Sequence, residues 1–132
     1  MKHEELTRKI IGCAMKVHSA LGNGFSELIY QRALALELEV QNLSFAQEID
    51  RAVYYKGEKI GSRRIDFLVE NAIILELEAV FELEAAHFAQ IKNYLEAYNF
   101  EIGLLINFGS NSLTFKRLEN KKFKEGDSNA DF

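Results

Sequence analysis

Apolar residues recur at the spacing of an α-helix in three segments of the chain. The first predicts a helix over residues 4–20, which ends before Gly22-Asn23-Gly24. The second predicts a helix that begins after Ser26, a residue type suited to an N-cap, and runs to about residue 41. The third predicts a helix over residues 83–98. These helices are separated by segments with a different pattern.

Shorter apolar runs bounded by turn residues predict strands. The run over residues 102–108 is apolar almost throughout, which is typical of a central strand covered on both faces. Lys56-Gly57 predicts a turn between two strands. This order of helices and strands predicts an α/β fold, in which helices flank a mixed sheet in a single domain. The predicted strands cover residues 44–49, 52–55, 59–69, 72–80, 102–108 and 112–118.

Three carboxylates interrupt two of these apolar strands. Asp66 lies in one strand, and Glu76 and Glu78 lie in the next, at positions where aliphatic side chains would be expected. Burying a carboxylate costs on the order of several kcal/mol unless a cation, a metal or hydrogen bonds compensate it. Because three carboxylates fall within thirteen residues, a divalent metal is the leading candidate.

The alternation of side chains along a strand determines which of these acids share a face. Glu76 and Glu78 point the same way, and Asp66 joins them only if the hairpin loop has an odd number of residues. A three-residue loop, residues 70–72, satisfies this condition, and its Asn71 tolerates the left-handed conformation. This register sets Asp66 opposite Glu76 and Arg64 opposite Glu78.

Several motifs resemble a known family. An Asp, a hairpin turn and then Glu-x-Lys is the signature of the PD-(D/E)XK nuclease superfamily, and residues 66–78 resemble it. The segment Gly24-Phe25-Ser26-Glu27-Leu28-Ile29-Tyr30 resembles the Gly-x-x-Glu-x-x-Tyr motif of the GxxExxY proteins, a bacterial branch of that superfamily. The resemblance covers about residues 5–118. It extends to Tyr54-Tyr55-Lys56-Gly57, to Gln90 with Tyr94, and to residues 103–108.

The resemblance implies a restriction-endonuclease-like fold and metal-dependent hydrolysis of phosphodiester bonds in nucleic acid, with DNA preferred to RNA as substrate. It implies that Asp66 and Glu76 hold the metal and that Glu27 completes the metal shell. With a backbone carbonyl such as that of Leu77, these oxygen ligands suit Mg²⁺ or Mn²⁺. Gln90 and Tyr94 resemble a Gln-x-x-x-Tyr element whose side chains contact phosphate or catalytic residues.

Glu78 departs from the family pattern, which has Lys two residues after the catalytic Glu. In the superfamily that Lys orients the attacking water, although some restriction endonucleases carry Glu there and still cleave. Glu78 is therefore either a further ligand or a base for the attacking water, or it forms a cross-strand ion pair with Arg64. We favour the ion pair.

Three functions remain open at this point. The first is a nuclease with Glu78 among its catalytic residues. The second is a degenerate nuclease fold that binds nucleic acid or a protein partner without cleaving, which the missing Lys favours. The third is a structural or oligomerisation module that uses exposed edge strands, and a homodimer is left open.

The remaining polar features narrow the chemistry only slightly. The polar stripe of His87, Gln90 and Tyr94 is placed to face the carboxylates, but we assign no general-base role to His87 because a lone histidine on a helix is more often structural. His3 and His18 have no ligand spacing with another His or Cys, which argues against zinc. Two groups of basic residues are candidates for phosphate contacts or are simply solvated. They are Lys56, Lys59, Arg63 and Arg64, and Lys116, Arg117, Lys121, Lys122 and Lys124.

Length and composition fit one globular domain. The chain has 132 residues, a net charge of −4 and a single cysteine, Cys13, on the apolar stripe of the first helix. The negative charge argues against a protein that coats nucleic acid, but it does not exclude a nuclease. No apolar run reaches the length of a membrane span, so we expect a soluble cytoplasmic protein without a membrane partner. We place the domain at residues 1–118 and a charged tail at residues 119–132.

Overall fold

The computed structural model describes residues 3–126 of the chain. This part contains three helices and five strands. In chain order they are α1 (Glu4–Leu21), α2 (Glu27–Val40), β1 (Phe45–Tyr55), β2 (Glu58–Val69), β3 (Ile73–Glu78), α3 (Ala85–Tyr98), β4 (Ile102–Asn107) and β5 (Thr114–Glu119). No helix within residues 3–126 is both long and apolar enough to cross a membrane.

The five strands form one sheet in the order β1-β2-β3-β4-β5. Neighbouring strands are antiparallel except β3 and β4, which run parallel because α3 crosses over between them. The sheet is therefore mixed, and the three helices flank it. The predicted α/β fold class, a restriction-endonuclease-like single domain, is confirmed.

The helices begin and end close to the predicted positions. α1 ends at Leu21, and Gly22 follows with a positive φ of 74° and donates its amide to the carbonyl of His18. α3 begins at Ala85 rather than at residue 83, because Glu84 still has an extended backbone. Its end is defined by Asn99, which adopts the left-handed conformation that stops a helix.

The observed strands differ from the predicted ones mainly at two places, β1 and the end of β3. The segments predicted separately at residues 44–49 and 52–55 form one strand, β1. β3 ends at Glu78 rather than at residue 80. The backbone groups of Val80 form hydrogen bonds with the side chain of Asn107 instead of with a neighbouring strand. The Oδ1 atom of Asn107 accepts from the Val80 amide at 3.0 Å, and its Nδ2 donates to the Val80 carbonyl at 2.9 Å.

The sheet separates two apolar clusters. α1 and α2 cover one face, where Cys13 is buried with Phe67, Leu75 and Leu104. α3 covers the other face. The cluster beneath α3 contains Ile49, Ile65, Leu68, Ile74, Ile91, Tyr94, Leu95, Tyr98, Phe100 and Leu105. Leu68 and Ile74, which flank the hairpin acids in sequence, are thus covered as expected.

Residues 119–126 differ from the frayed tail expected there. Asn120 is buried, and its Nδ2 donates to the carbonyls of Leu95 and Phe100 at 3.1 Å each. The side chain of Asn99 bonds both backbone groups of Lys124 at 3.0 Å. This segment is therefore attached to the end of α3. The rest of the predicted tail, residues 127–132, lies outside the described part of the chain, and the domain boundary at residue 118 stays a prediction.

Candidate active site

The β2–β3 hairpin has the loop length that the sequence predicts. Phe67 pairs with Leu75, Leu68 with Ile74 and Val69 with Ile73, which leaves three loop residues. The loop residues Glu70 and Asn71 both have a positive φ of 51°. The predicted three-residue loop and the register that it sets are confirmed for these three pairs, which are the only pairs between the two strands in the described residues.

Backbone pairing between the two strands stops just before the acids. Phe67 and Leu75 are the last pair, and beyond them the side chain of Asp66 replaces the missing backbone partner. Its Oδ2 accepts a hydrogen bond from the amide of Leu77 at 2.7 Å. This bond fixes the position of the Asp66 carboxyl, which lies close enough to Glu76 for each group to change the pKa of the other.

Glu76 is the most deeply buried of the candidate acids. Glu76 is only 4 % exposed, and its Oε1 has no hydrogen-bond partner within residues 3–126. Burial, followed by the charge of Asp66, raises the pKa of Glu76 to about 10. Burial also raises the pKa of Asp66, against the opposing effect of the Leu77 amide. Without a cation, the pair therefore retains a proton at neutral pH.

Two further carboxylates act on this pair. Glu27, in the first turn of α2, has its pKa raised by burial and then by the charge of Asp66. The pKa of Glu78 is raised by burial and then by the charge of Glu27. Packing of α2 against the sheet therefore brings the helix acid into the electrostatic field of the hairpin acids. Like charges at close range favour a bound cation.

Tyr30 explains how Glu27 is oriented. Its ring is buried and stacks on Phe108 at 4.6 Å between centroids. Its hydroxyl donates to the carbonyl of Gly22 at 2.5 Å and accepts from the amide of Phe25 at 3.2 Å. These contacts fasten the loop that precedes α2 to the core. Tyr30 therefore supports the helix that carries Glu27 and lies apart from the acids.

The predicted ion pair between Arg64 and Glu78 is wrong. Arg64 lies opposite Asp50 of β1, and its Nε is 3.1 Å from the Asp50 carboxylate. A second carboxylate, that of Glu48, lies 3.9 Å from the guanidinium. Because β2 and β3 stop pairing after Phe67, Arg64 follows its β1 neighbour instead of Glu78.

His87 lies in the candidate site, although the sequence offers no reason to assign it a chemical role. Its Nε2 lies 3.8 Å from Oε2 of Glu78. Its Nδ1 accepts a hydrogen bond from the amide of Glu84 at 2.8 Å, so the ring proton is carried on Nε2, on the side of Glu78. The signal for this placement was present in the polar stripe of α3, which was expected to face the carboxylates.

Gln90 and Tyr94 continue the same stripe. The Nε2 of Gln90 donates to the Tyr94 hydroxyl at 2.8 Å. Burial, followed by the charge of Glu76, raises the pKa of Tyr94. The Tyr94 hydroxyl therefore lies close enough to the carboxylates to be affected by their charge. The guanidinium of Arg63 lies 5.0 Å from the centroids of the Tyr94 and Tyr98 rings and fixes this end of the stripe.

The acids fit a divalent cation in part. Within residues 3–126, no three His, Cys, Asp or Glu side chains are gathered into a metal-binding geometry. The Oε1 of Glu76, which has no hydrogen-bond partner in the described part of the chain, and the raised pKa of Glu76 beside Asp66 are nevertheless features that a cation would relieve. The amide and carbonyl of one strand residue point to the same side, so the carbonyl of Leu77 lies on the side of Asp66. Two carboxylates and one carbonyl thus form the available ligand set.

Comparison with known proteins identifies the family. Residues 4–118 match the model of the PD-(D/E)XK nuclease superfamily, and the chain therefore belongs to that superfamily. Nucleases of this superfamily generally use divalent metals. A comparison with curated proteins gives no match.

One solved structure supports the fold. The crystal structure of SSO0001 is similar with a TM-score of 0.54 at 18 % sequence identity. The similarity covers 90 % of this chain and 60 % of SSO0001, so this chain spans about three fifths of that protein's length. At this identity the likeness concerns the fold alone.

Proposed function

We propose that this protein is a metal-dependent nuclease of the GxxExxY branch that hydrolyses phosphodiester bonds, in DNA rather than RNA. One observation carries the proposal. In a chain that belongs to a nuclease superfamily, the buried Oε1 of Glu76 has no hydrogen-bond partner within residues 3–126, and burial with the charge of the neighbouring Asp66 raises the pKa of Glu76 to about 10. Such a pair is suited to exchanging its proton for a divalent cation.

Asp66, Glu76 and the Leu77 carbonyl would hold Mg²⁺ or Mn²⁺. When bound, the cation would lower the pKa of a water molecule and offset the charge that develops on the phosphate. The hydrogen bond from the Leu77 amide holds Asp66 in position for this task. Glu27 would complete the shell through water, since it acts on Asp66 through its charge.

Glu78 and His87 would handle the proton of the attacking water. Glu78 is half-buried with a raised pKa, which makes it a stronger base than an exposed Glu. The Nε2–H of His87 faces Glu78 and would stabilise its charged form. Gln90 and Tyr94, joined by their own hydrogen bond, would position the phosphate backbone.

A second candidate function is binding without cleavage. Its support is Glu78 itself, which stands at the position of the family Lys and has the Nε2 of a histidine, not a lysine, 3.8 Å away. A protein of this kind would retain nucleic acid or a protein partner on the same surface. A homodimer and a cytoplasmic location remain predictions under either function.

A cleavage assay separates the two functions. Single-stranded and double-stranded DNA and RNA are incubated with the protein and either Mg²⁺ or Mn²⁺. We expect cleavage of DNA by the native chain and none by Asp66→Ala, with the exposed Glu82→Gln as a matched control that cleaves normally.

The Glu78→Lys variant provides the deciding result. Cleavage by the native chain that persists in this variant supports the nuclease. Cleavage that occurs only in Glu78→Lys identifies a natural inactivation and supports the binding function. Absence of cleavage in both, together with retained binding of nucleic acid, also contradicts the nuclease.

A further inference from the structure

The β1–β2 hairpin extends well beyond the sheet. β1 and β2 pair as far as Tyr55 and Glu58, but β3 pairs only with residues 67–69 of β2. Residues 50–64 therefore project as a two-stranded ribbon, which we call the β1–β2 arm. Its turn lies nine residues from Asp66. At about 3.3 Å per residue, the tip lies roughly 30 Å from the candidate acids.

The distal half of the arm is unusually apolar for an exposed hairpin. Every residue from Tyr54 to Ser62 is exposed. Tyr54, Tyr55 and Ile60 are exposed by 66 %, 61 % and 64 %. A two-stranded ribbon is only marginally stable by itself and has no core in which to bury such side chains. Large apolar groups in this position indicate a surface that contacts a partner.

The charge of the arm indicates the kind of partner. Five of its seven charged residues are basic, although the chain as a whole has a net charge of −4. Lys56 lies over the ring of Tyr55 at 5.6 Å, and neither Lys56 nor Lys59 forms an ion pair with any residue between 3 and 126. Lysines next to aromatic rings on an exposed ribbon match a polyanion with flat bases.

The base of the arm leads to the candidate active site. Arg63 stacks on Tyr94 of α3 and bonds the Tyr98 hydroxyl at 3.1 Å, so the ribbon is fastened beside the polar stripe. Its next neighbour along the strand, Arg64, contributes a positive charge that acts on Asp66. The base of the arm therefore lies beside both the polar stripe of α3 and Asp66.

We propose that the β1–β2 arm binds a nucleic-acid duplex by lying in its groove, at a distance from the bond that is cleaved. The major groove is about 12 Å wide and admits a two-stranded ribbon. With a rise of about 3.4 Å per base pair along the helix axis, a duplex lying along the arm meets the tip roughly nine base pairs from Asp66. The inference rests on the proposed function, because the duplex is the substrate of that site.

Binding without divalent metal tests the arm separately from cleavage. Fluorescent duplexes of roughly 8 and 24 base pairs are titrated in EDTA, and the anisotropy is followed at several salt concentrations. We expect the native chain to bind the longer duplex at least tenfold more tightly. The double variant Lys56→Ala/Lys59→Ala should lose this advantage, and its slope of log affinity against log salt should fall by about two.

A matched control removes the same charge elsewhere. Lys116→Ala/Lys121→Ala alters two exposed lysines of the C-terminal basic group and should leave the length dependence unchanged. All variants should keep the thermal midpoint of the native chain, because none of these side chains is buried. Equal losses in both double variants would contradict the proposal, since the effect would then follow total charge.

Other outcomes overturn the proposal in distinguishable ways. Tighter binding of single strands, lost in Tyr54→Ser/Tyr55→Ser, would assign the arm to stacking on unpaired bases. A different outcome is a native chain that light scattering shows to be a dimer. If Lys56→Ala/Lys59→Ala is then a monomer with unchanged affinity for DNA, the arm is assigned to binding a second copy of the chain.

The experiments also distinguish a failure of the arm proposal from a failure of the nuclease proposal. Binding that depends on the arm, without cleavage by the native chain, would remove the nuclease function and keep the arm. Cleavage of the longer duplex at the native rate by Lys56→Ala/Lys59→Ala would keep the nuclease function and remove the arm.

Discussion

The Nε2 atom of His87 lies 3.8 Å from Oε2 of Glu78, between the first turn of α3 and the end of β3. Glu78 occupies the position at which the superfamily pattern has Lys. The group that faces it comes instead from a helix and is an imidazole whose proton lies on Nε2, because its Nδ1 accepts a hydrogen bond from the Glu84 amide. His87 therefore links the start of α3 to the candidate active site.

Removing His87 should weaken the start of α3. In His87→Ala the Glu84 amide loses its acceptor, and we expect the free energy of unfolding to fall by about 1 kcal/mol. Urea titration measures this change. Lys92→Ala, exposed on the same helix, serves as the control and should change the stability by less than about 0.5 kcal/mol. Equal stabilities of the two variants would contradict the capping role.

The stability of the metal-free protein should fall as the pH rises. The folded state keeps a proton on Glu76 up to a pKa of about 10, whereas the unfolded chain releases it near the ordinary value of 4.5. Between these values the unfolded state binds fewer protons, so its free energy falls relative to that of the folded state. Glu76→Gln should remove most of this dependence and raise the stability at pH 8 by about 1 kcal/mol.

Urea titrations between about pH 5 and 9 in EDTA test this expectation. The exposed Glu39→Gln is the control, and it should retain the pH dependence of the native chain. A native stability that is flat or that rises across this range would show that Glu76 is ionised in the folded protein.

Divalent metal should stabilise the folded protein. At a hundredfold excess over its dissociation constant, a bound ion adds about 2.7 kcal/mol, which corresponds to a rise of roughly 10 °C in Tm. Differential scanning fluorimetry with Mg²⁺ or Mn²⁺ measures the shift. Asp66→Asn should abolish it, while Glu82→Gln, an exposed acid in the loop after β3, should retain it. A shift shared by all three proteins would place the ion elsewhere.

Among the polar residues other than the acids, we expect Asn107 to be the one whose substitution lowers the stability most. It is fully buried, and its amide bonds both backbone groups of Val80, the Gly109 amide and the Ser110 hydroxyl. Asn107→Ala removes these bonds and should cost about 2–4 kcal/mol in unfolding free energy.

Limited proteolysis of the loop after Glu78 is a second test of Asn107→Ala. Gly109 lies against the backbone of Val80 so closely that an added Cβ would clash with it. Limited proteolysis should therefore cut near Val80 faster in Asn107→Ala than in Ser112→Ala, which alters an exposed residue nearby. Equal rates of cutting would show that packing at Gly109 holds the loop without Asn107.

A chain that ends at residue 118 should be less stable than one that ends at residue 126. Truncation removes the buried amide of Asn120 and with it the hydrogen bonds that this amide donates to the carbonyls of Leu95 and Phe100. We expect a loss of about 1–3 kcal/mol, measured by urea titration. Asn120→Ala in the full chain should reproduce most of the loss, and Lys121→Ala should not. Equal stability of both truncated chains would support a domain boundary at residue 118.

Local rules determined much of the fold in advance. The period of the apolar residues predicts all three helices, because a helix needs one apolar face whatever it packs against. The hairpin register follows from side-chain parity and a three-residue loop, and it gives the pair of Phe67 and Leu75 correctly. Both arguments involve residues close in sequence, where covalent geometry limits the choices.

The partners of the charged residues were not determined in this way. Arg64 pairs with Asp50 rather than Glu78 because β2 separates from β3 and stays with β1, and parity cannot reveal where two strands part. β3 ends early because of Asn107, a residue 27 positions away from Val80. Such contacts depend on how distant elements pack.

The acids in the apolar hairpin were evident from the sequence alone, and so was the contact expected between Asp66 and Glu76. Only the tertiary structure shows that His87 lies beside Glu78 and that Glu27 acts on Asp66, since α2 precedes the hairpin in the chain and α3 follows it. The physical reason is the range of the forces. Parity and periodicity act over a few residues, whereas burial, charge and side-chain hydrogen bonds join whatever the packed layers place side by side.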